Sequence, residues 1–270
     1  MRLSRFTRGG FAVFAGLVVF FLTVPLIVIV LFAFDASNVQ TFPIHHWTLS
    51  WFSVAWNDPA VRSALWLSVK AGVLATAIAL VLGMLVAFGI HRYRFFGRDT
   101  ISLLLVLPIA LPGIVTGLAL QSAFNLAGVP FSVYTIVIGH ATFCIVVVFN
   151  NVIARLRRSS MSLIEASADL GATPLQTFRL VTMPMLSTAV IAGGLLAFAL
   201  SFDEVIVTTF TAGAQNTLPL WIFGAIRLGQ QLPEVNAVVV GVLVLTLAPI
   251  AYAARISSGE SVGRSTSSGV

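Results

Sequence analysis

An all-α membrane protein with six transmembrane helices is the fold class this sequence predicts. Three observations carry it. Of 270 residues, 58% are apolar and only 9% are charged, against about 25% charged in an ordinary soluble domain. Six long apolar stretches recur along the chain, each near the ~20 residues a spanning helix needs. Arginines punctuate the ends of these stretches without forming a patch, so the net charge of +6 reads as span-flanking charge. The mean hydropathy of +1.02 agrees. Composition thus excludes a soluble enzyme, a nucleic-acid binder and a disordered linker. A single cysteine, Cys144, leaves no disulfide framework and no cysteine-based metal site.

The apolar stretches run roughly over residues 11–34, 64–90, 101–124, 131–154, 185–210 and 235–254. The first follows Arg2, Arg5 and Arg8, as in a signal peptide. Its apolar run exceeds the roughly 7–15 residues of a cleaved signal, so it is expected to stay as a span. With the N-terminus inside, twelve arginines fall on inner segments and only Arg62 and Arg227 on outer ones. That asymmetry satisfies the positive-inside rule. All five tryptophans (Trp47, Trp51, Trp56, Trp66, Trp221) fall in or beside outer segments, where indole rings favour the headgroup region. Both termini are therefore expected in the cytoplasm.

The expected organisation is a cytoplasmic N-terminus over 1–10, a transmembrane body over 11–254 with an inner loop over 155–184, and a disordered Ser/Gly-rich tail over 255–270. No internal repeat is visible. In the second stretch Ala71, Ala75, Ala79, Gly83 and Ala87 recur every four residues, a small-residue face suited to close helix packing. Gly113 and Gly117 offer the same in the third. Pro108 and Pro112 should kink or break that span, and Pro25 and Pro249 act similarly in the first and last. The outer segment 35–61, with Trp47, Trp51, Phe52 and Val54, predicts a short interfacial helix.

The loop from Arg155 to Pro184 reads as two short helices. Ser162-Leu163-Ile164-Glu165 is a capping box, in which Ser162 caps and Glu165 reaches back. That helix should run to about Leu170 and stop at Gly171 in a left-handed conformation. Thr173-Pro174-Leu175-Gln176 is a second start, with Thr at N-cap, Pro at N1 and Gln at N3. Two capped helices joined at a glycine make a rigid elbow.

Glu165-Ala166-Ser167-Ala168-Asp169-Leu170-Gly171-Ala172, followed by Phe178 and Met183-Pro184, resembles the E-A-A…G loop of the membrane subunits of bacterial ABC importers. Ser167 stands where that pattern usually has Ala. The likeness extends over about residues 10–255 and is nearest to polyamine permeases of the PotC type. It is carried by His91-Arg92-Tyr93-Arg94-Phe95, His140-Ala141-Thr142-Phe143-Cys144, Ser201-Phe202-Asp203-Glu204-Val205 and Pro233-Glu234-Val235-Asn236-Ala237. The resemblance implies a type I ABC importer permease fold in a bacterial inner membrane. It also implies two ATP-binding subunits carrying ATP and magnesium, a second homologous permease and an extracytoplasmic solute-binding protein. Leu163, Ile164, Glu165, Ala166, Asp169, Leu170, Gly171 and Ala172 would then form the ATPase-coupling surface. No cofactor is expected on this chain itself.

No G-x-x-x-x-G-K-[ST] occurs, since the one lysine, Lys70, follows Leu67-Ser68-Val69. Energy must come from a partner or an ion gradient. No catalytic constellation stands out, and His140 with Cys144 at i, i+4 lacks the further ligands of a metal site. A lone intramembrane histidine is expected to bond a neighbouring helix. Asp203 and Glu204 lie some 18 residues beyond Met185, roughly 27 Å along a helix, near the outer mouth. Carboxylates there suit a cationic substrate such as spermidine or putrescine. Gln121, Asn125, Thr208 and Thr209 are further candidates to line the path, whereas Asn150 and Asn151 sit nearer the inner loop. The alternatives are an ABC permease for iron, thiamine or an anion, and a gradient-driven transporter or channel. The acidic pair argues against anions.

Overall fold

The computed structural model describes residues 5–159, 162–229 and 232–246. Its described elements are helices, apart from one bridge between Asp35 and Trp47. In chain order they are α1 (Arg5–Ala33), α2 (Ser50–Asn57), α3 (Pro59–Arg92), α4 (Arg98–Ala110), α5 (Gly113–Leu126), α6 (Val133–Arg158) and α7 (Ser162–Asp169). There follow α8 (Pro174–Thr177), a π-helical turn (Phe178–Thr182), α9 (Met183–Phe202), α10 (Ile206–Thr211) and α11 (Leu218–Leu228), then α12 (Leu232–Thr246). Among the described residues four helices are long and apolar enough to cross a bilayer, or five if α4 and α5 count as one bent span. The sixth expected stretch is present as α12 up to Thr246, and its remainder lies outside the described residues.

Residues 63–223 form one compact unit. Its centre is α6, which buries His140, Cys144, Val148 and Val152 against its neighbours. Helix α9 runs antiparallel to it. Arg155 Nε donates to the Met185 carbonyl at 3.1 Å, and Cys144 Sγ reaches the Ala197 carbonyl at 3.3 Å, so the paired numbers descend on one helix as they rise on the other. Small residues permit this approach. A side chain at Gly193 would meet Asn151 Cβ at 3.3 Å. The small face of α3 packs in the same way: Ala71, Ala75, Ala79 and Ala87 are buried. A Cβ at Gly83 would lie 3.0 Å from both the Ile145 carbonyl oxygen and the Val148 side chain. Within lipid no hydrophobic drive separates these helices from the solvent around them, so backbone proximity and dispersion hold them together.

The third stretch breaks where its prolines stand. α4 ends at Ala110, α5 begins at Gly113, and their axes differ by 103°. Leu111, which precedes Pro112, is extended at ψ 145°, since the proline ring disfavours helical geometry in the residue before it. Beyond the bend α5 lies along α10. A Cβ at Gly113 would lie 3.5 Å from the Ile206 side chain, and Gly117 sits so close to the Phe210 ring that a side chain there would force the ring aside.

The fifth stretch corrects the sequence reading, which took 185–210 as one uninterrupted helix. α9 stops at Phe202, residues 203–205 leave the helix, and α10 resumes at Ile206. Neither proline nor glycine causes this. The run Val205-Ile206-Val207-Thr208-Thr209 is β-branched throughout and has weak helix propensity, and side-chain hydrogen bonds take over the backbone's obligations there.

Residues 1–62 and 224–270 make up the second unit. α1 exposes apolar side chains along most of its length, Phe11, Leu17 and Phe21 among them, as a lipid-facing helix does. Beyond it the chain folds back: Thr48 N–H donates to the Phe34 carbonyl at 2.8 Å and Ala36 N–H to the His46 carbonyl at 3.0 Å. Trp51 of the expected interfacial helix, α2, donates its indole N–H to the Asp35 carbonyl at 2.9 Å. Trp47 and Trp56 stay exposed. Glu234, ahead of the apolar run of α12, is buried beside Asp58, and burial together with that second carboxyl raises its pKa.

The packing predicts an asymmetry between two glycines of α3. Gly83→Ala forces Ile145 and Val148 aside and should cost about 1–3 kcal/mol. Gly89→Ala meets nothing within 4 Å and should leave stability unchanged or raise it through helix propensity. Thermal unfolding midpoints in detergent would distinguish the two; equal midpoints would refute the close α3–α6 contact.

Candidate functional site

The break in the fifth span is built from polar side chains in an apolar setting. His140, on α6, is 1% exposed. Its Nδ1 lies 2.7 Å from Ser201 Oγ, at the end of α9, and its Nε2 lies 2.8 Å from Thr208 Oγ1, on α10. One imidazole therefore bridges both halves of the broken span. Thr208 Oγ1 gives its proton to the Glu204 carbonyl at 2.5 Å, so it can only accept from the ring. That assigns the proton to Nε2 and leaves Nδ1 to accept from Ser201. The neutral ring satisfies both hydroxyls at once.

The two carboxylates at the break have different surroundings. Glu204 is half-buried, and its Oε1 accepts the Val207 N–H at 2.9 Å, capping the start of α10. Asp203 is exposed, ends α9 with its own N–H on the Ala199 carbonyl, and has no side-chain partner among the described residues. Threonines secure the rest of α10. Thr209 donates to the Val205 carbonyl at 2.8 Å, Thr211 to the Val207 carbonyl at 3.0 Å, and Thr135 of α6 to the Thr211 carbonyl at 2.7 Å.

The remaining candidates divide accordingly. Gln121, half-buried, and Asn125, exposed, stand on the C-terminal half of α5, which packs beside α10. Thr208 is fully buried with its hydroxyl engaged on both sides, so it holds the break and offers nothing to a solute. Lys70 is exposed on α3 and pairs with neither carboxylate among the described residues. His140 and Cys144 point at different partners and have no third ligand beside them among the described residues.

The elbow between α6 and α9 is the second feature. α7 ends in a Schellman turn: Gly171 N–H bonds the Ala168 carbonyl at 2.9 Å and Ala172 N–H the Ser167 carbonyl at 3.0 Å. Gly171 has φ 78°, a conformation that costs a side-chain-bearing residue energy. Thr173 then caps α8, its Oγ1 accepting the Gln176 N–H at 3.4 Å while Gln176 Oε1 accepts the Thr173 N–H at 2.8 Å. The box expected at Ser162 adjoins residues 160–161, outside the described residues.

Helices α7 and α8 are tied by a hydroxyl pair, Ser167 Oγ to Thr177 Oγ1 at 2.9 Å. The Phe88 and Phe178 rings, 5.7 Å apart, fasten the elbow to the C-terminal end of α3. From Pro174 to Phe202 the elbow is continuous with the fifth span through the π turn. Leu163 is 54% exposed, Leu170 89% and Leu175 74%; Glu165, Ala166 and Asp169 are exposed while Ile164 and Ala172 are half-buried. The elbow presents an apolar surface edged with acid. Leu175 and the Ser167–Thr177 bond escaped the sequence reading, although an exposed Leu between two capping residues was a signal for the first.

Apolar spans, one of them broken around a buried histidine and continuous with a rigid elbow, define a class: a multi-pass membrane protein. The chain belongs to the family of binding-protein-dependent transport system inner membrane components, whose model matches residues 79–257. It is 35% identical to the putrescine transport system permease protein PotI of Escherichia coli (strain K12) over 225 residues, 80% of this chain and 79% of that one. It is 32% identical to the spermidine/putrescine transport system permease protein PotC of the same organism over 268 residues, 97% of each. The PotC protein of Haemophilus influenzae (strain ATCC 51907 / DSM 11121 / KW20 / Rd) is 30% identical over 88% of this chain and 92% of its own. A solved bacterial ABC transporter involved in the import of the acidic polysaccharide alginate contains a chain of similar fold. The TM-score is 0.62 at 18% identity, covering 94% of this chain and 98% of that one. The protein is thus an inner-membrane permease of an ABC import system.

His140→Leu takes the acceptor from the Ser201 hydroxyl, while Thr208 keeps its bond to the Glu204 carbonyl, and should cost about 1–3 kcal/mol for the one hydroxyl left unsatisfied. Thr209→Val, which removes an exposed hydroxyl bonded only within its own helix, should stay within about 0.5 kcal/mol. Unfolding midpoints of the two variants would test the bridge, and equal midpoints would contradict it.

Proposed function

We propose that this permease forms, with a second homologous permease, the translocation pathway for polyamines, spermidine or putrescine, delivered by an extracytoplasmic binding protein. Two ATP-binding subunits, which carry ATP and magnesium, dock on the elbow and supply the energy this chain has no P-loop to harvest. Six spans cross the membrane with both termini in the cytoplasm, residues 1–10 and 255–270 lying on that side. The observation that carries the reading is the uncommitted carboxylate of Asp203. An exposed acid at a helix break in the outer part of a span is costly unless something cationic answers it. Substrates named for the PotC and PotI relatives are such cations, and a primary ammonium gains from a carboxylate in reduced dielectric. Glu204 is the less suitable partner because Oε1 is already given to Val207. Gln121 and Asn125 stand on the outer part of α5 as candidate polar lining of the vestibule.

The coupling role rests on the elbow's rigidity. Leu163, Leu170 and Leu175 offer apolar anchors to a groove on the ATPase, and Glu165 and Asp169 offer charge at the rim. A Schellman turn and a capping box fix their spacing, and the π turn passes any displacement directly to α9.

Two outcomes follow. In vesicles holding the assembled complex, binding protein and ATP, Asp203→Asn should lower labelled spermidine uptake about tenfold, equivalent to 1.4 kcal/mol. Glu204→Gln, which keeps an acceptor oxygen for Val207, should lower it much less. Normal uptake by Asp203→Asn would remove this residue from the path, and full uptake without binding protein or ATP would favour a gradient-driven transporter. Gly171→Val should abolish ATP-driven uptake and ATPase copurification while the spans still insert. Copurification and transport at normal levels would refute the coupling assignment.

A further inference from the structure

Between α6 and α9, at their inner ends, runs an open groove of about 460 Å³ lined by Asn150, Asn151, Arg155, Arg158 and Thr188 over a floor of small alanines. None of these residues takes part in the break or the elbow. We infer that this groove binds the phosphate of an anionic phospholipid in the inner leaflet.

The groove is built from donors. Arg155 uses its Nε on the Met185 carbonyl at 3.1 Å and Arg158 its Nε on the Ala154 carbonyl at 3.1 Å, in each case a backbone partner that fixes the base of the guanidinium. The terminal amino groups of both remain free of carboxylates among the described residues. Asn151 anchors its amide on the Val147 carbonyl at 2.9 Å, while Asn150 and Thr188 are exposed. Among the described residues no acid lines the groove. A cluster of guanidinium, amide and hydroxyl groups without a counter-charge suits an anion with several oxygens, and repels the polyamine cations proposed for the pathway.

Depth selects the source of that anion. α6 has 26 residues, about 39 Å of helix against a hydrocarbon core of about 30 Å, so its last turns reach the headgroup layer. The groove extends from Arg158 to Asn150 and Ala192, about 12 Å along α6 at 1.5 Å per residue, so it follows the span from the headgroup layer toward the acyl chains. The arginine asymmetry of the loops places this end on the cytoplasmic side, where anionic lipids attract basic pockets between spans.

The test uses the complete transporter, with its partner permease and ATPase subunits, purified in detergent and examined by native mass spectrometry. Phosphatidylglycerol and phosphatidylcholine of equal chain length are titrated separately, with and without inorganic phosphate. Retention should favour phosphatidylglycerol and should fall about tenfold or more in the Arg155→Gln/Arg158→Gln double variant, as expected for two charges at a lipid surface. Because Arg155 also braces α9, Asn150→Asp serves as a second variant. It puts an acid into the groove without touching either brace, and should reduce phosphatidylglycerol retention likewise. Equal retention of the two lipids, unchanged retention in both variants, or displacement of phosphatidylglycerol by millimolar phosphate would overturn the assignment.

Discussion

Everything distinctive in this protein depends on one constraint: a backbone inside a bilayer must satisfy its own hydrogen bonds. An interrupted helix leaves N–H and C=O groups that no water can take up, each costing several kcal/mol. The fifth span is nevertheless interrupted. It is possible because His140 crosses from α6 to both sides of the gap, Glu204 takes the Val207 N–H in the first turn of α10, and threonines close on the carbonyls behind it. Those bonds convert a defect into a fixed corner, and the corner exposes Asp203.

The same span links this corner to the elbow. From Phe202 back to Pro174 the chain is helical throughout, with one π turn where the elbow meets the membrane. π turns absorb an extra residue at a cost in hydrogen-bond geometry and are frequent where helices do work. Here the turn sits beside the Phe88–Phe178 contact, so the elbow is braced on α3 as well as fused to α9. A push on α7 has a short mechanical route to the carboxylate: through Ser167–Thr177 into α8, along α9, to its last residue.

The sequence was informative where local chemistry decides structure. Gly171 could be assigned its left-handed turn because the Schellman geometry needs a residue without a Cβ, and Thr173 and Gln176 could be paired because a capping box is a four-residue pattern. The repeat of Ala71, Ala75, Ala79, Gly83 and Ala87 revealed a packing face, and Pro112 a bend, for equally local reasons. The interruption at 203–205 was illegible because nothing local causes it. It requires His140, more than sixty residues earlier, to supply both bonds, and pairing across that separation leaves no periodic trace in one sequence. A β-branched run after an acidic pair was the faint signal present. Thr208 was ambiguous for the same reason: its type suited a path-lining hydroxyl or a bond to another helix, and its bond to His140 on α6 buries it.

The central claim is a division of labour between adjacent carboxylates, one holding the helix and one meeting the substrate. Infrared difference spectra of the assembled transporter, recorded on adding spermidine with its binding protein and normalised to the bound substrate, address it directly. A substrate-induced shift in the carboxylate stretching region should disappear in Asp203→Asn and persist in Glu204→Gln. A shift that survives in Asp203→Asn and vanishes in Glu204→Gln would contradict it.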